Sequence, residues 1–454
     1  MKYRNVITPI VLLLSLNINA QTVTLEMCKD SAIQNNINIK NKQLSLEASQ
    51  EVKKNAFTNY FPQIDAGAVA VKLNKSLVEA ELPEMNLPVY DGNPANLAAP
   101  TQFTYFPGMG LELLDYVNAG YLTAVQPLYV GGRIRNGNKL ASLGVEFSQH
   151  QLNLTQDEVL VATEFYYWTI LALEEKKKTL EGYEKLLNSL KNDVSVAYEA
   201  GLIQKSDLLK IQLELNNINA NKLKLNNGID LLKMTLAQHI GITYSGNLQI
   251  ADTAILVHDP VETFWSPEEA LLKRDEYQML NKAIDAEILQ KKMAMGEYLP
   301  TVAVGVAGLY LDVSEPDGGM MSFNNTNSMV FAKVSVPISG WWGGSHKIKE
   351  HKLKVNIAQN NLEEKTELLK LQMDKAYKDV IESYMQIQVA ESSVEQALEH
   401  LSVVKNSFDA GVVSTSDLLE AQAMYQQTKD ALIDSKTAYK IKYAEYLKVT
   451  GRLL

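Results

Sequence analysis

Ala200–Gly201–Leu202–Ile203–Gln204–Lys205–Ser206–Asp207–Leu208–Leu209 returns later in the chain as Ala410–Gly411–Val412–Val413–Ser414–Thr415–Ser416–Asp417–Leu418–Leu419. Gly201 and Gly411 lie 411 − 201 = 210 positions apart, and Asp207 and Asp417 share that offset. A long apolar-periodic segment runs into each glycine and another leaves each Ser-Asp pair, which is the chemistry of a helix reversal. Glycine just past a helix takes the left-handed conformation that other residues resist, and the apolar residue after it folds back onto the last turn. Ser206 and Ser416 are placed to accept from the free N–H groups opening the next helix, and Asp207 and Asp417 to complement its positive end. One such stretch is an ordinary helical hairpin. Two at one offset, each between very long helices, indicate an internal duplication.

The flanking segments carry the same pattern. Between Gly132 and Ala200, and between Gly344 and Ala410, there is no proline and almost no glycine. Helices of that length reach on the order of 100 Å at the usual rise per residue. Ile387, Ala390, Val394, Ala397, Leu401, Val404 and Phe408 keep a 3–4 spacing, matched by Tyr183, Leu187, Leu190, Val194 and Ala197. On the return segment Ile211, Leu215, Ile218, Leu225, Ile229, Leu232 and Leu236 fit the same period, with Lys222 as a polar intruder. A spacing near 3.5 sustained this far predicts coiled-coil packing. Gly241 and Gly451, again 210 apart, close the hairpins, giving expected ranges of 133–240 and 345–450.

Ahead of each hairpin stand a helix and two strands. Thr24–Leu25–Glu26 and Ser266–Pro267–Glu268–Glu269 are helix starts. The helical pattern runs to Tyr60–Phe61–Pro62 and to Tyr298–Leu299–Pro300, at an offset of 300 − 62 = 238. Small and β-branched residues then predict strands at about 63–72 and 119–130 in the first repeat, and at about 301–312 and 328–338 in the second. Pro127 and Pro337 are 210 apart, so the extra 238 − 210 = 28 residues lie between the first pair of strands. That insert, Leu82 to Gly108, is rich in Pro, Asn and Gly and reads as a long exposed loop. The chain is thus mainly α with four strands: residues 21–241, a linker at 242–265, and residues 266–454. Four strands cannot close their own edges, and open edges fail inside a bilayer, so a barrel shared among identical chains is expected.

The 454 residues are 46% hydrophobic and 21% charged, with a formal net charge of −10, a balance that argues against a nucleic-acid partner. Lys2 and Arg4, the apolar run Val6 to Leu16, and Ile18–Asn19–Ala20 read as a signal peptide over residues 1–20. Its removal takes away two positive charges and leaves a chain near −10 − 2 = −12. The apolar run is well short of the roughly 20 residues a membrane-spanning helix needs. The single cysteine, Cys28, excludes an internal disulfide and lacks a lipoprotein context.

The order of elements, the stretch Pro127–Leu128–Tyr129–Val130–Gly131–Gly132–Arg133 and the twin hairpin tips resemble the outer membrane efflux protein family, the TolC-type channels. The resemblance spans nearly the whole chain after residue 20. It implies a homotrimer in the outer membrane, each chain giving four strands to a twelve-stranded barrel, with the helices continuing as a periplasmic tunnel. It implies a passive duct rather than an enzyme, needing no cofactor. Its partners would be outer-membrane lipid, a periplasmic adaptor (membrane fusion) protein and an inner-membrane pump of the resistance-nodulation-division or ABC type. At the family's acidic tunnel mouth stand Asp417 and Glu420, six and nine residues past the tip glycine; the plain reading is a helix-end acid and a solvated one. The first repeat has Asp207 and Lys210 at those offsets. Where the family has an aromatic hydroxyl and an arginine that tie the mouth shut, this chain has Phe408 and Val413, so closure must be held differently. Adaptor docking falls on Gly201, Leu202, Ser206, Asp207, Gly411, Val412 and Ser416, although turn geometry alone explains the glycines and serines. The rival reading is a periplasmic or secreted coiled-coil scaffold without a pore.

Two other features are weaker. Gly131–Gly132–Arg133–Ile134–Arg135–Asn136–Gly137 follows a strand and opens a helix but lacks the endings of phosphate loops, so it reads as a tight turn. Trp341–Trp342 fits either an interfacial aromatic belt or packing against the helix tops.

Overall fold

The computed structural model describes residues 21–74, 78–113, 116–201, 203–260, 264–314 and 323–453. The expected signal segment and Leu202 lie outside them. The chain divides into two compact units, one built from residues up to Ser49, Val145–Ile284 and Ile357–Leu454, the other from Gln50–Gly144 and Asp285–Asn356. No described helix is long and apolar enough to cross a membrane.

In chain order the first repeat runs β1 (Gln21–Val23), α1 (Leu25–Asn35), α2 (Ile37–Thr58), β2 (Gln63–Lys72), β3 (Val78–Leu82), β4 (Met85–Pro88), β5 (Phe103–Phe106), β6 (Met109–Leu113), β7 (Tyr116–Val130), α3 (Arg133–Glu199) and α4 (Lys205–His239). Then come β8 (Leu248–Ile250), α5 (Pro267–Leu271), α6 (Asp275–Gly296), β9 (Thr301–Ser314), β10 (Phe323–Ser335), α7 (Trp341–Asp409) and α8 (Thr415–Val449).

In the helical unit, Thr24 caps α1 by accepting from the Met27 N–H at 3.2 Å, and Ser266 caps α5 through the Glu269 N–H at 3.3 Å. The helix expected from Thr24 to Tyr60 is interrupted at Asn36, which is buried and donates to the His239 carbonyl at 2.8 Å. The second repeat breaks its helix at Arg274. The linker is not loose chain: β8 pairs in parallel with β1, from Gln21 opposite Leu248 to Val23 opposite Ile250. Tyrosines on the helices hold three further points near it. Tyr167 donates to Asp252 at 2.7 Å, Tyr439 to the His258 carbonyl at 2.6 Å, and the Tyr446 hydroxyl accepts from the Trp265 N–H at 2.9 Å.

The seam residues pack as their spacing predicts. Tyr183, Leu187, Leu190, Val194, Ile211, Leu215, Ile218 and Leu418 form one buried cluster, joined at its edge by Leu401, Val404 and Phe408. Lys222, the intruder on α4, pairs with Glu184 across the seam at 2.7 Å; the partner carboxylate holds its ammonium charged and lifts its pKa. Cys28 is wholly buried, and loss of solvation pushes its thiol up to about 12.

In the second unit β10, β9, β7 and β2 form one antiparallel sheet in that order. The repeats meet where β7 lies against β9. Both repeats use one device inside the sheet. Gly67 faces Tyr121 and Gly305 faces Phe331, and a Cβ on either glycine would fall 2.5 Å from the opposite ring. The offsets, 238 for the glycines and 210 for the aromatics, are those of the repeats. Each ring covers a backbone that has no side chain of its own.

Three expectations need correction here. The insert between β2 and β7 is not a plain loop. Its described residues lie in two short antiparallel ribbons, β3 with β6 and β4 with β5, separated at Pro83 and Pro107. The last strand ends at Ser335 rather than Ile338, because Pro337 has no N–H for a ladder and the chain turns there, Gly340 N–H reaching the Pro337 carbonyl at 3.1 Å. Its counterpart Pro127 is tolerated inside β7 at a register shift between Pro127 and Tyr129. Finally, α7 begins at Trp341, four residues ahead of the expected 345. Trp341 donates its indole N–H to the Tyr298 carbonyl at 2.8 Å, whereas Trp342 is 83% exposed.

Candidate functional site: the paired hairpin tips

Each helical hairpin reverses through the same backbone geometry. Gly201 and Gly411 have φ of 72° and 74°, a left-handed conformation that costs other residues roughly 1–2 kcal/mol. At the second tip the Gly411 N–H reaches the Phe408 carbonyl and the Val412 N–H the Ser407 carbonyl, both at 2.9 Å, which satisfies two of the carbonyls left free at the end of α7. At the first, Gly201 N–H bonds the Tyr198 carbonyl at 2.9 Å. Val412 is 77% exposed.

The starts of the return helices differ. Ser416 does not cap α8; the cap is Ser414, two residues earlier. Its hydroxyl accepts from the Asp417 N–H at 3.4 Å, and the Asp417 carboxylate accepts from the Ser414 N–H at 2.8 Å and from its hydroxyl at 2.7 Å. These bonds, with Lys210 nearby, hold the Asp417 carboxyl below its ordinary range. In the first repeat the capping position is Gln204, which makes no side-chain cap bond, and Ser206 is exposed with only a 3.4 Å contact to the Gln204 side chain. Asp207 stands in the first turn of α4, 3.5 Å from Lys210.

The two tips are tied to each other. Lys210 donates to the Ser416 hydroxyl at 2.7 Å, across 206 residues of sequence. Phe408, by contrast, is packed at the edge of the apolar cluster beneath the tips. Glu420 is exposed, one turn beyond Asp417 on α8. Sequence reasoning gave no role to Ser414 or to the reach of Lys210. Counting three residues back from Asp417 finds the first, since Ser-x-x-Asp is a capping-box spacing; no local pattern announces the second.

Comparison with known proteins follows the same lines. The family model described as "Outer membrane efflux protein" matches residues 267–452, the second repeat. No curated protein sequence matches the chain. Among solved structures, the CmeC outer membrane channel of Campylobacter jejuni superposes with a TM-score of 0.73 at 15% identity, covering 95% of this chain and 86% of that one. The outer membrane protein VceC of Vibrio cholerae gives 0.71 at 14% identity, over 94% and 96% of the two chains. The MtrE outer membrane channel of Neisseria gonorrhoeae, in its open state, gives 0.72 at 15% identity over 94% and 89%. The resemblance read from the twin tips therefore stands: the chain carries the outer membrane efflux protein pattern in its second repeat and the fold of TolC-type outer-membrane channels over nearly all its length.

Proposed function

We propose that this chain is one protomer of a trimeric outer-membrane efflux duct, embedded by its strands and extending into the periplasm by its helices. The observation that carries the reading is the four-stranded sheet with β2 at one edge and β10 at the other, each with an outer side that pairs with no other strand among the described residues. Successive strands alternate in direction, so β10 of one chain and β2 of the next run antiparallel. Joining three copies this way gives twelve strands and leaves no edge, which a bilayer requires. The exposed Trp342 suits the lipid boundary. Heat-modifiable migration and recovery in the outer-membrane fraction test this; recovery of a monomer in the periplasmic extract would mean a poreless scaffold instead.

The tips are the periplasmic gate in this reading. Three copies of Asp417 and Glu420 about the axis form a negative constriction, and the cap bonds that keep Asp417 ionised favour cations there. The Lys210–Ser416 bond is the contact that holds the mouth in place of the missing aromatic hydroxyl and arginine. Gly201, Leu202, Ser206, Asp207, Gly411, Val412 and Ser416 offer the docking surface for an adaptor, which couples the duct to an inner-membrane pump of the resistance-nodulation-division or ABC type. The channel does no chemistry on its cargo. Planar-bilayer recording of Asp417→Ala with Glu420→Ala tests the gate: cation selectivity falls, and unchanged selectivity removes both residues from the lining. Co-purification from a crosslinked envelope identifies the pump.

A further inference from the structure

The helix breaks of the two repeats fall at one offset, 274 − 36 = 238, yet differ in chemistry. The first is neutral: Asn36 bonds the His239 carbonyl and accepts from the Asn38 N–H. The second is a run of charge, Arg274–Asp275–Glu276, packed among three other helices. Arg274, 3% exposed, donates to Glu276 at 2.7 and 3.2 Å and to Gln372 of α7 at 3.1 Å. Asp275 lies against α3, 2.5 Å from His150 Nδ1 and 3.2 Å from Asn153 Nδ2.

One turn further along α3 is Asp157, 8% exposed, whose Oδ1 is buried without a hydrogen-bond partner among the described residues. The charges acting on it most strongly are Asp275 and Glu276 of α6, Glu158 of its own helix and Lys448 of α8, and the titratable His150 touches Asp275 on its far side. A buried carboxylate oxygen lacking a donor, beside two further acids, is costly when ionised. A proton on it supplies the donor that the site lacks. Among the described residues no group of three His, Cys, Asp or Glu side chains is disposed to hold a metal ion.

We propose that Asp157, facing Asp275, forms a proton-binding site that joins the first repeat's long helix to the second repeat's helix break, so that acidification tightens the packing between repeats. Burial above all, then the Asp275 charge, raises the Asp157 carboxyl from 3.8 to about 6, with Lys448 opposing. The folded pKa is the raised one, so this contribution is full below about pH 4 and is lost as the pH rises through about 6. Above that, like-charged carboxylates press α3 and α6 apart.

The test is hydrogen exchange of the full chain in detergent, following amides of residues 150–157 and 275–280 from pH 5 to pH 8 after correction for the intrinsic rate. The site lies within one chain, so the readout holds whatever the oligomer. Local opening should rise about tenfold over that range, as the two protonation limits require. Asp157→Asn, which keeps a donor at every pH, should flatten the profile at its acid value, while His150→Gln should leave the step in place. A step that survives Asp157→Asn, or that vanishes with His150→Gln, overturns the assignment. If Asp157→Asn fails to fold, an infrared titration of the wild-type chain decides: one carboxyl must lose its proton near pH 6, and none doing so also overturns it.

Discussion

The two hairpin tips share a turn and differ in nearly everything around it. Both reverse through a left-handed glycine with matching carbonyl bonds. Beneath the first tip the return helix is aliphatic, with Ile211, Leu215, Ile218 and Ile229 all buried. Position for position, 210 residues on, the second return helix carries Ala421, Tyr425, Thr428 and Tyr439. The first tip has an aliphatic seam and no side-chain cap; the second has a full capping box, and beside Leu418 the buried residues nearest it are the smaller or polar Thr415, Ala421 and Gln422. Duplication preserves what the backbone demands, a glycine where φ is positive. It lets packing and capping drift, provided each hairpin keeps one sufficient source of order.

Four perturbations sharpen that contrast. Ile211→Ala copies the second seam into the first and should cost about 2–5 kcal/mol, measured as denaturant stability of the helical unit, whereas Ala421→Gly should cost only about 1 kcal/mol. Gly201→Ala and Gly411→Ala should each cost about 1–2 kcal/mol; unequal losses would show that the turns are not equivalent. Ser414→Ala should loosen the second tip by about 1 kcal/mol in local hydrogen exchange, and Gln204→Ala should leave the first unchanged. The smallest effect concerns acid. The folded pKa of Asp417 is depressed, so its cap is intact above the ordinary carboxylate range and weakens as the pH falls below it. Exchange at residues 414–418 should therefore rise below about pH 4 with no matching rise at residues 204–208, and a parallel response would refute the difference in caps.

Much of this fold was legible because its determinants are periodic or conformational. Apolar spacing marked the seams, proline the strand starts, and glycine the reversals. The ribbons of the insert were not, since five prolines (Pro83, Pro88, Pro94, Pro100 and Pro107) cut their alternation into runs of four or five residues. The pairing of β1 with β8 rests on three residues a side and leaves no pattern. The breaks at Asn36 and Arg274 carry neither proline nor glycine; buried side-chain bonds at a distance make them. At the tips, residue type located the turns, but the choice of Ser414 over Ser416 as cap and the reach of Lys210 to Ser416 depend on where two helices end up side by side.

In the trimer proposed above, the antiparallel joint of β7 with β9 would change how assembly proceeds. Each repeat supplies one ascending and one descending strand, so separate halves would need six copies and six docking events to furnish twelve strands. Fusing the halves makes every second seam intramolecular, where the effective concentration is set by the linker rather than by the cell. Only three encounters between molecules would then remain in that trimer, each uniting the unlike edges β10 and β2.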